Sequence, residues 1–163
     1  MSRLWDATRD IVPIQWSIIM SEVLYTAELA FTGKTEFGLS LEAVLSGAAP
    51  IPPQGARFDV TFAGPLEGKL DGTLTGVDYL RMRADGRTEL DLHGVVERPN
   101  GQKIAWRAEG VGTMRADAPI MDITELIRFD SADPDTAWLG TRRVWGEGQV
   151  DPVAGVIRVT AYV

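Results

Sequence analysis

The sequence predicts an all-β domain, a sandwich or barrel, and three observations carry that reading. Side chains alternate with period two over successive short stretches, glycine-rich turns separate those stretches, and two turns fix strand register by themselves. From residue 21, Val23, Tyr25, Ala27, Leu29 and Phe31 alternate with Glu22, Leu24, Thr26, Glu28 and Ala30. Leu39 and Leu41, ahead of Gly47, suggest a second strand. Ala48 to Gly55 reads as a loop, because its three prolines cannot donate to a ladder. Phe58, Val60 and Phe62 then alternate with Arg57, Asp59 and Thr61.

The turn Arg98-Pro99-Asn100-Gly101-Gln102 admits two registers. A two-residue Asn-Gly turn would pair Glu97 with Ile104 and mix polar with apolar residues on both faces. Pro99 suits the second position of a type I turn, with Gly101 left-handed in a bulge. That register pairs Glu97 with Lys103, Val96 with Ile104, Gly94 with Trp106 and Leu92 with Ala108. One face is then Leu90, Leu92, Val96, Ile104, Trp106 and Ala108, and the other is Glu89, Asp91, His93, Lys103, Arg107 and Glu109. The bulged register is preferred because it segregates the faces. The same geometry at Arg83-Ala84-Asp85-Gly86-Arg87 pairs Arg81 with Glu89, Leu80 with Leu90, Tyr79 with Asp91 and Asp78 with Leu92. The result is a three-stranded meander near 77–83, 88–97 and 103–113, with Asp78 on its apolar face.

Residues 117–128 read two ways. Asp117 could cap a helix with Pro119 in its first turn and Ile120, Ile123, Leu126 and Ile127 on one side. A strand would instead put Met121, Ile123, Glu125, Ile127 and Phe129 on one face. The helix is the favoured reading. Strands near 141–150 and 156–163 close the chain, the last alternating Ile157, Val159, Ala161 and Val163 with Arg158, Thr160 and Tyr162. Residues 1–20 stand apart as an N-terminal arm, with Leu4, Trp5, Thr8, Ile11 and Val12 at helical spacing before Pro13. Such an arm packs on the barrel domain, residues 21–163, or joins two copies into a homo-oligomer.

Composition limits the chemistry. The 163 residues contain no cysteine and one histidine, which excludes thiolate sites, cysteine nucleophiles and any centre needing two imidazoles. With 16 Lys and Arg against 23 Asp and Glu, the formal charge of −7 provides no basic footprint for nucleic acid. The apolar stretch 11–20 is far short of the ~20 residues a spanning helix needs, and Asp6, Arg9 and Asp10 break a signal-peptide pattern. The expectation is a cytoplasmic protein without cofactor, metal or membrane partner. Gly33-Lys34-Thr35 imitates the end of a phosphate-binding loop, but Glu28 occupies the place of its first glycine.

Carboxylates, Tyr and Arg remain as the reactive inventory. Asp78 is the sharpest candidate: on an apolar face, desolvation raises its pKa toward general acid-base use. Its plainer role is bonding a turn backbone near a strand start. Tyr79, Asp91, His93 and Arg107 are the candidate helpers. Gly64, Gly68, Gly72 and Gly76 recur every four residues, which on one strand keeps them on one face. They would permit coiling, or leave Gly68, Gly72 and Gly76 as ligand clearance. Trp106 and Trp138, both in β contexts, serve the core or wall a ligand cavity.

The run Gly64-Pro65-Leu66-Glu67-Gly68-Lys69-Leu70-Asp71-Gly72, then Gly76-Val77-Asp78-Tyr79, then Arg83-Ala84-Asp85-Gly86 with Glu89-Leu90-Asp91, resembles the DUF3237 (UPF0311) family of bacterial proteins. Pro99-Asn100-Gly101 with Ile104, Arg128-Phe129, Trp138-Leu139, Gly146 and Gly148 extend the resemblance over residues 22–163. Gly140 departs from the asparagine that tends to follow tryptophan-leucine in that family. The resemblance implies a closed antiparallel barrel of the calycin or allene-oxide-cyclase-like sort, of about eight strands, and no established reaction. Such a barrel has room for one small ligand. Two functions are therefore expected: binding of a small, largely apolar or aromatic organic molecule, or cofactor-independent isomerase, cyclase or lyase chemistry on it.

Overall fold

The computed structural model describes residues 21–163, so the predicted N-terminal arm and its oligomerising role lie outside the described residues. Eight strands in chain order close an antiparallel barrel. They are β1 (Val23–Glu36), β2 (Ala56–Gly68), β3 (Gly72–Met82), β4 (Thr88–Glu97), β5 (Lys103–Met114), β6 (Met121–Asp130), β7 (Val144–Asp151) and β8 (Val156–Tyr162). Every strand pairs with its sequence neighbour, and β1 returns to β8 along Tyr25–Ala161 to Ala30–Val156. Closure removes the free edges that an open sheet would expose.

The alternation read from the sequence decides what faces inward. Phe58, Val60 and Phe62 of β2 are buried, as are Leu90, Leu92, Val96, Ile104, Trp106 and Ala108 of the meander and Ile157, Val159 and Ala161 of β8. Both bulged turns hold: Glu97 pairs with Lys103 and Gly94 with Trp106, and Arg81 pairs with Glu89 and Asp78 with Leu92. Between those last two pairs the β3–β4 ladder gives way to the Asp78 side chain, which accepts the Asp91 N–H at 3.1 Å. On β1 the register shifts twice, the second time between Phe31 and Gly33 against β2. A register shift between Val23 and Tyr25 buries both Leu24 and Tyr25 and leaves Val23 exposed.

Three expectations are corrected. Residues 121–130 form a strand rather than a helix: β6 pairs with β5 from Ala105–Asp130 to Met114–Met121 and with β7 from Met121–Val150 to Ile127–Val144. A helix there would have left the β5 and β7 edges unpaired, so sheet closure overrides the local capping signal, and β-branched Ile123, Thr124 and Ile127 suit the pleat. The predicted strand at Leu39–Leu41 is a short helix, α1 (Leu41–Leu45), whose Ser40 hydroxyl accepts the Ala43 N–H at 3.4 Å. Glu36 Oε1 takes the Leu41 N–H at 3.0 Å, and Leu41 is buried against the barrel. The four spaced glycines do not share one strand. Gly64 and Gly68 end β2, Gly72 and Gly76 begin β3, and a tight turn at Lys69–Asp71 separates them.

The barrel is apolar inside and charged outside, the reverse of a lipid-facing barrel. Its outer wall carries ion pairs such as Arg57–Asp59 at 2.7 Å, Arg115–Asp122 at 2.7 Å and Arg158–Glu28 at 2.9 Å. Among the described residues no helix is long and apolar enough to cross a membrane.

Candidate active site in the barrel lumen

Halfway along the barrel, inward-pointing residues leave a cavity of about 30 Å³. Tyr25, Ala27 and Leu29 of β1, Leu74 and Asp78 of β3, Leu90 and Leu92 of β4, and Trp106 of β5 line it on one side. Ile123 and Glu125 of β6, Val150 of β7, and Ile157 and Val159 of β8 complete it. Aliphatic groups dominate, and the polar groups are two carboxyls, one phenol and one indole N–H. Among the described lining residues none is Lys, Arg or His.

Strand register places the two carboxyls. Asp78 lies opposite Val60 on β2 and Leu92 on β4, so its inward position is fixed by the same segregation that buries Leu92. Glu125 lies opposite Gly110 on β5 and Gly146 on β7. Two residues without side chains flank it, and its own side chain occupies the space they leave. An added Cβ on Gly146 would come within 2.7 Å of Glu125 Cγ. One on Gly110 would meet the Thr124 carbonyl oxygen and come within 2.9 Å of Glu125 Cβ.

The electrostatics follow from this burial. Glu125 is buried, and its Oε2 has no hydrogen-bond partner among the described residues. Burial, with the Asp78 charge added, pushes its carboxyl up to about 8. Burial likewise pushes Asp78 up to about 7, against the Asp91 N–H that favours its ionised form; the charges of Asp91 and Asp59 add a further upward push. Tyr25 is held neutral by burial and then by the Glu125 charge, while the Trp106 indole acts the other way. Trp106 Nε1 donates to Tyr25 Oη at 3.1 Å, and that bond leaves the Tyr25 hydroxyl proton unspent. Phe62 meets the Trp106 ring edge-on, at 6.2 Å and 77°, and fixes its orientation from below.

The sequence candidates divide between the two walls. Asp78 and Trp106 line the lumen. Tyr79, Asp91, His93 and Arg107 face outward, where Arg57 stacks over Tyr79 at 5.1 Å and Tyr79 meets His93 edge-on at 5.6 Å. His93 Nε2 and Asp91 Oδ1 lie 3.1 Å apart, and Arg107 reaches the same Asp91 oxygen at 3.4 Å. The expected turn-bonding role for Asp78 takes a different form, since β3 begins at Gly72 and Asp78 bonds across strands rather than within a turn.

Gly68, Gly72 and Gly76 mark close backbone approach rather than open space. Added Cβ atoms would stand 2.8 Å from the Leu24 oxygen, 2.5 Å from the Glu97 oxygen and 2.6 Å from the His93 oxygen, respectively. Trp138 is in a 3-10 helix, Ala137–Thr141, rather than a strand, and is 43% exposed outside the lumen. Glu125 and Tyr25 were not singled out from sequence. The strand reading of 121–129 already placed Glu125 among Met121, Ile123, Ile127 and Phe129, as the acid on an apolar face. Among the described residues no group of three or more acids or histidines is placed to hold a metal ion. A larger trough of about 1030 Å³ runs along the outer wall of β1, β8, β7 and β6, but it is open and polar and its Arg158 and Glu28 are already paired.

The class defined by these features is a closed eight-stranded antiparallel barrel with an acidic, apolar-walled lumen. The chain belongs to the DUF3237 family, described as a protein of unknown function, whose pattern matches residues 27–163. It shares its fold with a β-barrel like protein from Acinetobacter baumannii AYE (18% identity, TM-score 0.70, covering 87% of this chain and 93% of that one). A protein of unknown function from Clostridium acetobutylicum ATCC 824 is similar at 15% identity and TM-score 0.69, covering 86% and 96%. An enzyme from Penicillium herquei is similar at 19% identity and TM-score 0.57, covering 87% and 92%. No curated protein matches the chain.

Proposed function

We propose that the barrel admits a small, largely apolar organic molecule to its lumen and moves a proton on it without a cofactor. The observation that carries this reading is the convergence of Asp78 and Glu125, from nearly opposite strands of the barrel, on one apolar cavity. Two buried acids, both pushed up toward neutrality but differing in hydrogen-bond surroundings, suit a base and an acid in one reaction. Asp78, steadied by the Asp91 N–H, is the base; Glu125, with a free oxygen, is the acid. The reaction class is isomerisation, cyclisation or elimination, in which positioning and proton transfer suffice. The use of a related fold in a protein described as an enzyme supports catalysis by analogy only.

A cavity of about 30 Å³ holds about one or two waters, so a ligand must displace water and turn the surrounding leucines to other rotamers. The test is saturation-transfer NMR with a library of apolar fragments, on the full chain and on Leu92→Trp, which fills the lumen. Binding to the first and not the second supports the site. Deuterium uptake into a bound fragment in D2O, lost in Asp78→Asn, supports proton transfer. Binding that survives Leu92→Trp, or no binding at all, overturns the reading, and binding without exchange reduces it to simple ligand carriage.

A further inference from the structure

Resting on that reading, we propose that the substrate is an uncharged carbonyl compound, whose oxygen is held by the Glu125 carboxyl and the Tyr25 hydroxyl while Asp78 takes a proton from the adjacent carbon. The argument begins with what the lumen lacks. No cationic side chain lines it among the described residues, and two acids do. An anionic ligand would meet repulsion with no compensating charge in an apolar surround, so carboxylates and phosphates are excluded.

The donors come next. Tyr25 receives the Trp106 N–H on its oxygen, which polarises its own O–H toward a second partner. Glu125 has a buried oxygen with no partner, and a buried carboxyl in that position meets the lowest cost as a protonated donor. Two neutral donors in an apolar-walled cavity suit an oxygen that gains negative charge during reaction. Asp78 differs from Glu125 in one respect, since it accepts a backbone N–H at 3.1 Å. That bond favours ionisation, which makes Asp78 the base of the pair.

The step balances within the site. Asp78 removes the proton from the carbon next to the carbonyl, and the C–H pair becomes a C=C bond. The carbonyl π pair moves to oxygen, where Glu125 and Tyr25 donate to it. Return of the proton from Asp78 to the same carbon gives exchange or epimerisation, and return to a more distant carbon of an unsaturated ketone shifts the double bond.

The groups facing Glu125 across the lumen are Asp78 from β3 and Tyr25 from β1, while β5 and β7 present Gly110 and Gly146. Donation by Glu125 therefore fails as it ionises above about 8. Glutamine at that position keeps a donor at any pH.

The experiment uses three probes of one shape: cyclopentanone, methylenecyclopentane and cyclopentanecarboxylate. We expect cyclopentanone to bind at least tenfold more tightly than the hydrocarbon, and the carboxylate not to bind. The ketone's advantage should fall at least fivefold in Tyr25→Phe and in Glu125→Leu. It should fall between pH 7 and 9.5 in the natural protein but not in Glu125→Gln. Deuterium exchange next to the carbonyl should be lost in Asp78→Asn with ketone affinity retained. Equal binding of ketone and hydrocarbon, binding of the carboxylate, or the same pH dependence in Glu125→Gln would overturn the proposal. Fragment binding to the lumen without carbonyl preference leaves the broader proton-transfer reading standing, whereas loss of all lumen binding removes both. Should Glu125→Leu fail to fold, the Glu125→Gln pH profile still decides the matter.

Discussion

Glu125 stands in register with Gly146, and the space a side chain would fill on β7 is taken by the Glu125 carboxyl: an added Cβ would lie 3.0 Å from Oε1 and 2.7 Å from Cγ. Gly146→Ala is therefore expected to displace this side chain and to cost about 1–3 kcal/mol by overpacking. In a double-mutant cycle, Glu125→Ala should recover most of that loss, because the crowded atoms are mainly those of Glu125. Gly110→Ala gives the contrast. Its Cβ would collide with the Thr124 carbonyl oxygen, which Glu125→Ala does not remove. Urea melts of the three single variants and the two doubles with Glu125→Ala check both statements, and equal rescue at the two glycines would contradict them.

Stability should fall as pH rises through neutrality. Folding raises Asp78 from 3.8 to about 7 and Glu125 from 4.5 to about 8. The folded state thus holds protons that the unfolded chain has already released, and stability declines with pH between those values. The contribution of the pair is fully present below about pH 4 and is lost as pH rises through about 7 and then about 8. Outer-wall acids act in the opposite sense at lower pH: Asp122 beside Arg115, Glu36 beside Lys34, and Asp85, which accepts the Arg87 N–H and then faces Arg83, are held below their ordinary range. A maximum near pH 5 is expected. In Asp78→Asn/Glu125→Gln the decline from pH 5 to 8.5 should flatten, and an unchanged slope in denaturant midpoints would refute the assignment.

Tyr25 and Trp106 form the other buried polar pair of the lumen. Tyr25→Phe strands the indole N–H in an apolar surround, so about 1–3 kcal/mol of stability should be lost. Trp106→Phe leaves the phenol without its donor and also opens a gap beside Phe62. The double variant should be less damaged than the sum of the two, with a coupling of about 1 kcal/mol, read from urea unfolding at constant pH. Strict additivity would mean that the bond contributes nothing.

Much of the barrel was legible because its information is local. A bulged turn at Arg98–Gln102 sorts the residues of β4 and β5 by face without reference to any other strand, and the bulged turn before it, at Arg83–Arg87, places Asp78 opposite Leu92. What escaped was set by distant partners. Residues 121–130 carry a plausible helix cap at Asp117 and Pro119, and only the demand of β5 and β7 for a partner makes them a strand. With that one assignment missed, Glu125 and its site geometry were missed too. Period-four glycines misled for a related reason, since equal spacing along the chain spans a turn at Lys69–Asp71 and loses its meaning as a facial period. Leu39 and Leu41 read as a strand because α1 has only five residues and gives little helical periodicity.

The last prediction concerns the outer ladder of Tyr79, Asp91, His93 and Arg107, each a candidate from sequence. Its ion pairs are solvated, with side chains near half exposure on both His93 and Arg107, so screening and side-chain entropy cancel most of the attraction. His93→Ala and Arg107→Ala should each change stability by no more than about 0.5 kcal/mol. They point away from the cavity, and neither should alter fragment binding in the lumen. Asp91 is a partial exception, because its backbone N–H, not its side chain, holds Asp78; Asp91→Asn preserves that donor and should also be silent. Thermal melts and fragment titrations measure all three side by side. Loss of lumen binding in His93→Ala would move the site to the outer wall, where Arg57, Tyr79 and His93 stack across three strands.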